Sequence, residues 1–353
     1  MKTGILRIFI INFICFLITF CSFFYSFSED KIEALKYKEE NVILDIEAEK
    51  EDIILKEENK EKEEEKETEG ESEKSESKSE NSNISKPVSA EAIKGNIISK
   101  YISPYNASLS YDKVYIKNNT DLKISIKDYL NGNINFSIKK NNEPQVLILH
   151  THATETFMTE DKDYYTEDFS SRTRDNTKNM VALGKIVAEK LNKAGIKTLH
   201  DTTLHDYPSY SSSYSRAAQT ITKYLKKYPS IKVVLDLHRD AVSSGKDKVK
   251  LVTEIEGKKA AQVMLVMGSQ SGSITNFPKW EENFKLALRL QKTFEEQYPT
   301  LARPLLLMSK NYNESLTTGS LLIEFGTDAN TLEEAKYSAQ LVGNCLARLL
   351  DNI

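Results

Sequence analysis

The sequence predicts an α/β fold for residues 141–353, a mainly parallel or mixed sheet flanked by helices, preceded by an N-terminal transmembrane helix and a disordered linker. Three observations predict it. From residue 145 onward, apolar runs of strand length alternate with segments whose apolar residues recur at helical spacing. Gly195, Pro229 and Pro299 stand where the helical patterns stop. Reactive side chains follow buried strands directly, as expected at the carboxyl edge of such a sheet.

The elements follow in order. Residues 1–7 carry Lys2 and Arg7 and are expected in the cytoplasm. Residues 8–27 hold no charge and are long enough, at about 1.5 Å per residue, to cross a hydrocarbon core of about 30 Å. Bulky Phe23, Phe24, Tyr25 and Phe27 occupy the place of a small-residue cleavage site, so an uncleaved anchor is expected. Residues 28–92 turn into Glu, Lys, Ser and Asn, with 12 acidic against 6 basic residues between positions 56 and 80. That composition buries too little apolar surface to offset chain entropy, and a solvated spacer results. A coil of that length reaches roughly 40–50 Å r.m.s..

Residues 93–140 read as a small strand-rich lead-in, with strands expected at 97–102, 113–117 and 122–126. The domain at 141–353 then opens with a strand at 146–149 and a helix at 180–194, whose Met180, Leu183, Val187 and Leu191 share one face. A strand at 196–199, a helix at 214–228 and a strongly apolar strand at 231–237 follow. Strands at 248–254 and 262–267 flank a turn at Gly257; a helix at 284–298, strands at 304–308 and 320–325 and a helix at 331–350 complete the pattern.

Composition excludes several functions. A net charge of −4 offers no basic footprint for nucleic acid. Of the three cysteines, Cys15 and Cys21 lie in the apolar N-terminal run and only Cys345 remains elsewhere, so neither a disulfide framework nor a cysteine zinc site can form.

Histidine points to the chemistry. Three of the five histidines stand at strand ends: His150 and His152 after 146–149, and His238 after 233–237. Glu324 ends another apolar strand. His152-Ala153-Thr154-Glu155 has the His-x-x-Glu spacing that lets an imidazole and a carboxylate from one loop reach one cation, and His238 completes a three-ligand set. Zn²⁺ suits that donor set and keeps a fourth position for water. Glu324 is the candidate general base, with a helix-capping role as its rival. Arg239 is the candidate clamp for a substrate carboxylate or oxyanion, and Asp240 the candidate to orient a histidine, a structural Arg–Asp pair being the alternative. His150 stays open as an alternative ligand or outer-shell residue, and His200 and His205 as groove-lining or exposed.

The runs VLILHTHATETF (146–157), TKNMVALGKIVAEKL (177–191), YPSIKVVLDLHRDA (228–241) and LLIEFGTDANT (321–331), in this order, resemble the stage II sporulation protein P family across residues 110–350. The resemblance implies a membrane-anchored, zinc-dependent peptidoglycan hydrolase of forespore engulfment, an N-acetylmuramoyl-L-alanine amidase with endopeptidase activity besides. It implies a fold like zinc amidases and carboxypeptidases, with His152, Glu155 and His238 as ligands and Glu324 catalytic. It also implies stage II sporulation proteins D and M as partners, and a single-pass location in the cell membrane with the catalytic domain in the septal or intermembrane space. One departure stands: where general cell-wall amidases place a ligand glutamate at the start of the next helix, this chain has Asn179. A zinc carboxypeptidase trimming stem peptides and a non-catalytic wall-binding scaffold are the competing readings.

Overall fold

The computed structural model describes residues 93–353. The expected cytoplasmic terminus (1–7), anchor (8–27) and linker (28–92) lie outside the described residues. Among the described residues no helix is long and apolar enough to cross a membrane.

The chain runs β1 (Ile93–Lys100), β2 (Leu109–Tyr111), β3 (Val114–Asn119), α1 (Ile126–Asn131), β4 (Val146–Leu149), β5 (Tyr164–Thr166) and α2 (Met180–Lys193). It continues with β6 (Thr198–His200), α3 (Ser213–Lys227), β7 (Val233–Asp240), β8 (Ser243–Ser244), β9 (Asp247–Ile255), β10 (Lys258–Ala261) and β11 (Val263–Gly268). Then come α4 (Trp280–Gln297), β12 (Leu305–Met308), a 3-10 turn at Glu314–Leu316, β13 (Ser320–Thr327) and α5 (Leu332–Leu350).

The main sheet has eight strands in the order β2-β3-β12-β11-β13-β7-β4-β6. It is mixed. The block β13, β7, β4, β6 is parallel throughout, and so is the block β3, β12, β11, while the two meet antiparallel where β11 pairs with β13. A smaller sheet runs β10-β9-β1-β5, with β8 beside β9. In it β1 lies between two partners, parallel to β9 and antiparallel to β5.

Sequence explains why the main sheet is buried on both faces. All four residues of β4 are fully inaccessible. Val146 and Ile148 face a large core built with α2, α4 and α5, whereas Leu147 and Leu149 face a smaller one built with Ala217 and Ile221 of α3. Burying one such side chain stabilises by roughly 1.5–3 kcal/mol. The α2 stripe Met180, Leu183, Val187, Leu191 meets the larger core, and Gly195 ends the helix at φ +82°, a conformation that a Cβ disfavours. Among the described residues one face of β7 packs on the larger core through Val233, Leu235 and Leu237, and on the other Val234 joins the α3 core while polar groups follow further along the strand.

One expected strand is absent. Residues 122–126 alternate apolar and polar, yet Asn118 Nδ2 donates to the Leu122 carbonyl at 2.9 Å and Leu122 N donates to Thr120 Oγ1 at 3.2 Å. Those bonds consume the main-chain groups a ladder needs, and Ile126 starts α1 instead.

Candidate metal centre

Alternation along β7 puts Val234, Asp236 and His238 on one face and Val233, Leu235 and Leu237 on the other. Val234 belongs to the α3 core, so Asp236 and His238 face the α3 side. Glu324 of β13 is register-paired with His238 and shares its face.

The loop after β4 brings the remaining groups. Its residues 150–158 are all buried, and their polar groups are tied down one by one. Thr151 donates from its main chain to Asp236 Oδ1 at 2.8 Å and from its hydroxyl to Oδ2 at 2.6 Å. Thr154 Oγ1 donates to Asp206 at 2.6 Å. Thr156 donates to Ser171 O at 3.0 Å and Lys178 O at 2.6 Å. A loop so held presents its side chains in a fixed geometry.

His152, Glu155 and His238 each offer a ligand atom, and these atoms lie within 4.8 Å of one another. Nδ1 of His152 is 3.5 Å from Glu155 Oε1, and Nδ1 of His238 is 3.8 Å from Glu155 Oε2. Behind His238, Nε2 stands 3.0 Å from Asp236 Oδ1, close enough to pair but out of hydrogen-bonding alignment. Nε2 of His152 and Oε2 of Glu324 are buried with no hydrogen-bond partner. Orphaned buried groups of this kind are rare in folded proteins.

Charge tells the same story. Burial works to raise the Glu155 carboxyl, yet Arg239 and the two imidazoles outweigh it and hold it well below the ordinary carboxylate range. Burial works to lower His238, but Asp236, Glu155 and Glu324 drive it up to about 10. Burial, with Asp240 and Glu155, pushes Glu324 up to about 8 against the pull of His238 and Arg303. An ionised Glu155 carboxylate held between two imidazoles, with buried nitrogen left unpartnered, gives a His–Glu–His donor set that suits zinc.

Other expected residues take different places. Arg239 is buried, and its three guanidinium nitrogens donate to the carbonyls of Thr156 (3.0 Å), Ser171 (2.8 Å) and Asp240 (3.4 Å), while its main-chain N–H donates to Glu155 Oε2 at 3.2 Å. It buttresses the loop rather than facing a substrate. Asp240 pairs with buried Arg303 at 2.8 Å, and it is Asp236 that stands behind His238. Arg303 keeps Nε and Nη2 buried without partners.

His150 lies outside the cluster. Its Nδ1 bonds to the Leu237 carbonyl at 3.1 Å and its Nε2 to His200 Nε2 at 2.9 Å, on the α2 side, where a Cβ on Gly184 would come within 2.5 Å of both Nε2 atoms. His205 is not exposed; its nitrogens meet the His150 carbonyl at 2.8 Å and Thr220 Oγ1 at 2.9 Å. Asn179 serves as the N-cap of α2, its side chain accepting from Val181 N at 3.0 Å. The following helix α5 is capped by Thr331 and Glu334, so Glu324 is not its cap.

Two tyrosines close over the cluster. Tyr210 stacks on His152 at 4.5 Å, and Tyr214 lies edge-on to His152 at 5.5 Å and parallel to His238 at 6.4 Å. Burial and the surrounding acids keep the Tyr214 phenol protonated. Asp236 carried a signal in the sequence, as a carboxylate inside the apolar run Val233–Leu237. The tyrosines carried none.

Fold and cluster together define an α/β protein with a candidate metal centre at the carboxyl ends of parallel strands. The chain belongs to the stage II sporulation protein P family, whose model matches residues 22–347. Stage II sporulation protein P of Bacillus subtilis (strain 168) is 29% identical over 217 residues, covering 58% of this chain and 50% of that protein, so the chain spans about half the length of the curated relative it matches. Among solved structures, the CwlD amidase from Clostridioides difficile, determined in complex with the GerS lipoprotein, is 10% identical, with a TM-score of 0.39 over 59% of this chain and 100% of that one. The N-acetylmuramoyl-L-alanine amidase AmiC2 of Nostoc punctiforme is 11% identical, with a TM-score of 0.34 over 61% and 98%.

Proposed function

We propose that this protein is a zinc-dependent peptidoglycan hydrolase of sporulation that cleaves the amide bond between muramic acid and the stem peptide. The observation that carries the reading is the meeting of His152, Glu155 and His238 within 4.8 Å, with Glu324 opposite His238 across the strand pair. Membership of a sporulation family supports the biological setting. Cleavage of peptide cross-links at the same centre, a single-pass anchor that leaves the enzyme outside the cytoplasm, and work alongside stage II sporulation proteins D and M during engulfment complete the proposal.

His152, Glu155 and His238 would hold the metal, and zinc, when bound, would supply Lewis-acid polarisation of the scissile carbonyl and acidify a water. The chain's own groups do the rest. Asp236 supplies the counter-charge 3.0 Å behind His238 at Nε2. Arg239 keeps Glu155 in place through its N–H. Glu324 accepts the proton of the attacking water at its unpartnered Oε2 and passes it to the leaving nitrogen as the carbon–nitrogen bond breaks. Burial of that carboxylate favours the protonated form it must reach between the two transfers.

The test joins elemental analysis of the full chain with mass spectrometry of peptidoglycan digests. Expected are one zinc per chain and whole stem peptides freed from muramic acid, with activity lost on chelation and restored by zinc. Release of single terminal residues would favour the carboxypeptidase; undiminished digestion by metal-stripped protein would overturn the reading. Glu324→Gln should retain zinc while activity falls about 10²–10⁴-fold.

A further inference from the structure

The role of substrate clamp expected of Arg239 is left open, since that guanidinium is buried on main-chain carbonyls. A second arginine stands where such a clamp is needed. Arg172 forms an antiparallel bridge with Glu155, so its side chain rises beside the metal cluster. Its Nη1 donates to Asp206 Oδ2 at 2.6 Å and to Thr154 Oγ1 at 3.3 Å, and its guanidinium lies 4.6 Å from the ring of Tyr210. Tyr210 in turn stacks on His152.

These contacts fix the guanidinium without consuming it. Nη2 approaches Glu155 Oε1 only to 4.0 Å, and among the described residues neither Nε nor Nη2 makes a hydrogen bond. The side chain is 38% accessible, against 7% for Glu155. Nε and Nη2 form one edge of the planar fork, the edge that grips a carboxylate with two parallel hydrogen bonds. An arginine pinned at one nitrogen, stacked on an aromatic ring and open along that edge is preorganised for an anion.

We infer that Arg172 is the specificity residue of this site, holding through its Nε/Nη2 edge a free carboxylate on the stem peptide close to the scissile amide. The inference rests on the amidase reading. Nη2 is 4.0 Å from a ligand oxygen of the metal centre, and extended peptide advances about 3.3–3.6 Å per residue. A carboxylate on the first or second residue of the stem reaches both places at once. Asp206, buried behind Nη1, excludes a second anion from that side and fixes the direction of approach.

The experiment uses the zinc-loaded full chain in detergent and paired N-acetylmuramoyl peptides, identical except that the second stem residue bears a free α-carboxylate or its carboxamide. Wild-type protein should favour the carboxylate about 10- to 100-fold, chiefly through KM. Arg172→Gln should bring that ratio near unity, and Arg172→Lys, keeping the charge but losing the fork, should fall between. Because each ratio is taken within one protein, partial misfolding cancels. Calorimetry of the two free stem peptides should show the same preference and the same loss. A wild-type ratio of one, or a ratio unchanged in Arg172→Gln, overturns the inference. If neither substrate is cleaved but the free peptides bind with the expected preference and Arg172→Gln removes it, the amidase reading falls and the assignment of Arg172 stands.

Discussion

Two imidazole pairs lie on opposite faces of the same sheet, and their ring geometries almost coincide. His150 and His200 sit 5.1 Å apart at 83°, His152 and His238 4.9 Å apart at 81°. Their surroundings differ completely. On the α2 side the rings bond to each other and to the Leu237 carbonyl, with apolar helix against them, and burial lowers His150 to about 3 and His200 to about 4. On the α3 side Glu155 lies between the rings, Asp236 lies behind one of them, and nitrogen is left without a partner. A pair of histidines at a given spacing is therefore no candidate metal site by itself; the intervening carboxylate and the unfinished hydrogen bonding mark one.

Substitution breaks the comparison most directly. His238→Ala should abolish zinc binding and hydrolysis together, whereas His200→Gln should keep one zinc per chain; loss of zinc from His200→Gln would erase the distinction between the faces. Asp236→Asn sharpens it. Removing the charge behind His238 should weaken zinc affinity about 10- to 100-fold in a chelator competition while the ligands stay in place.

The smallest effect concerns the proton. Unfolded histidine binds it near 6.5 and folded His200 only near 4, so between those values the unfolded chain holds more protons. Stability is then fully present above about 6.5 and is lost as pH falls, on the order of 2 kcal/mol by pH 5. Thermal melts of metal-free protein across that range should show the slope, and His200→Gln should reduce it by about half, His150 keeping a share of the same sign. A slope of opposite sign would mean that this face, too, holds its histidines charged.

Strand-end reasoning named the three residues that meet, His152, Glu155 and His238, and Glu324, which the strand register sets beside His238; each follows or ends an apolar run, and a sheet delivers such residues to one edge. It located α2, α3, α5 and most strands to within a few positions for the same local reason. What escaped it depends on distant partners. Arg239 and Asp240 looked like site residues because they adjoin His238, yet alternation turns Arg239 to the carbonyls of Thr156 and Ser171, and Asp240 meets an arginine that sequence places 63 residues away. Arg172 was hidden among polar loop residues, and only its bridge to Glu155 reveals it. The antiparallel junction between β11 and β13 is equally invisible locally, since each strand reads the same in either direction.

The position of β1 has a mechanical consequence. Because β1 is laced between β9 and β5, tension applied at Ile93 along the strand loads both ladders in shear, many bonds at once, instead of peeling them singly. The chain leaving β5 leads within six residues to Arg172. Load entering at Ile93 is thus shared by the sheet whose β5 strand runs on toward the candidate site.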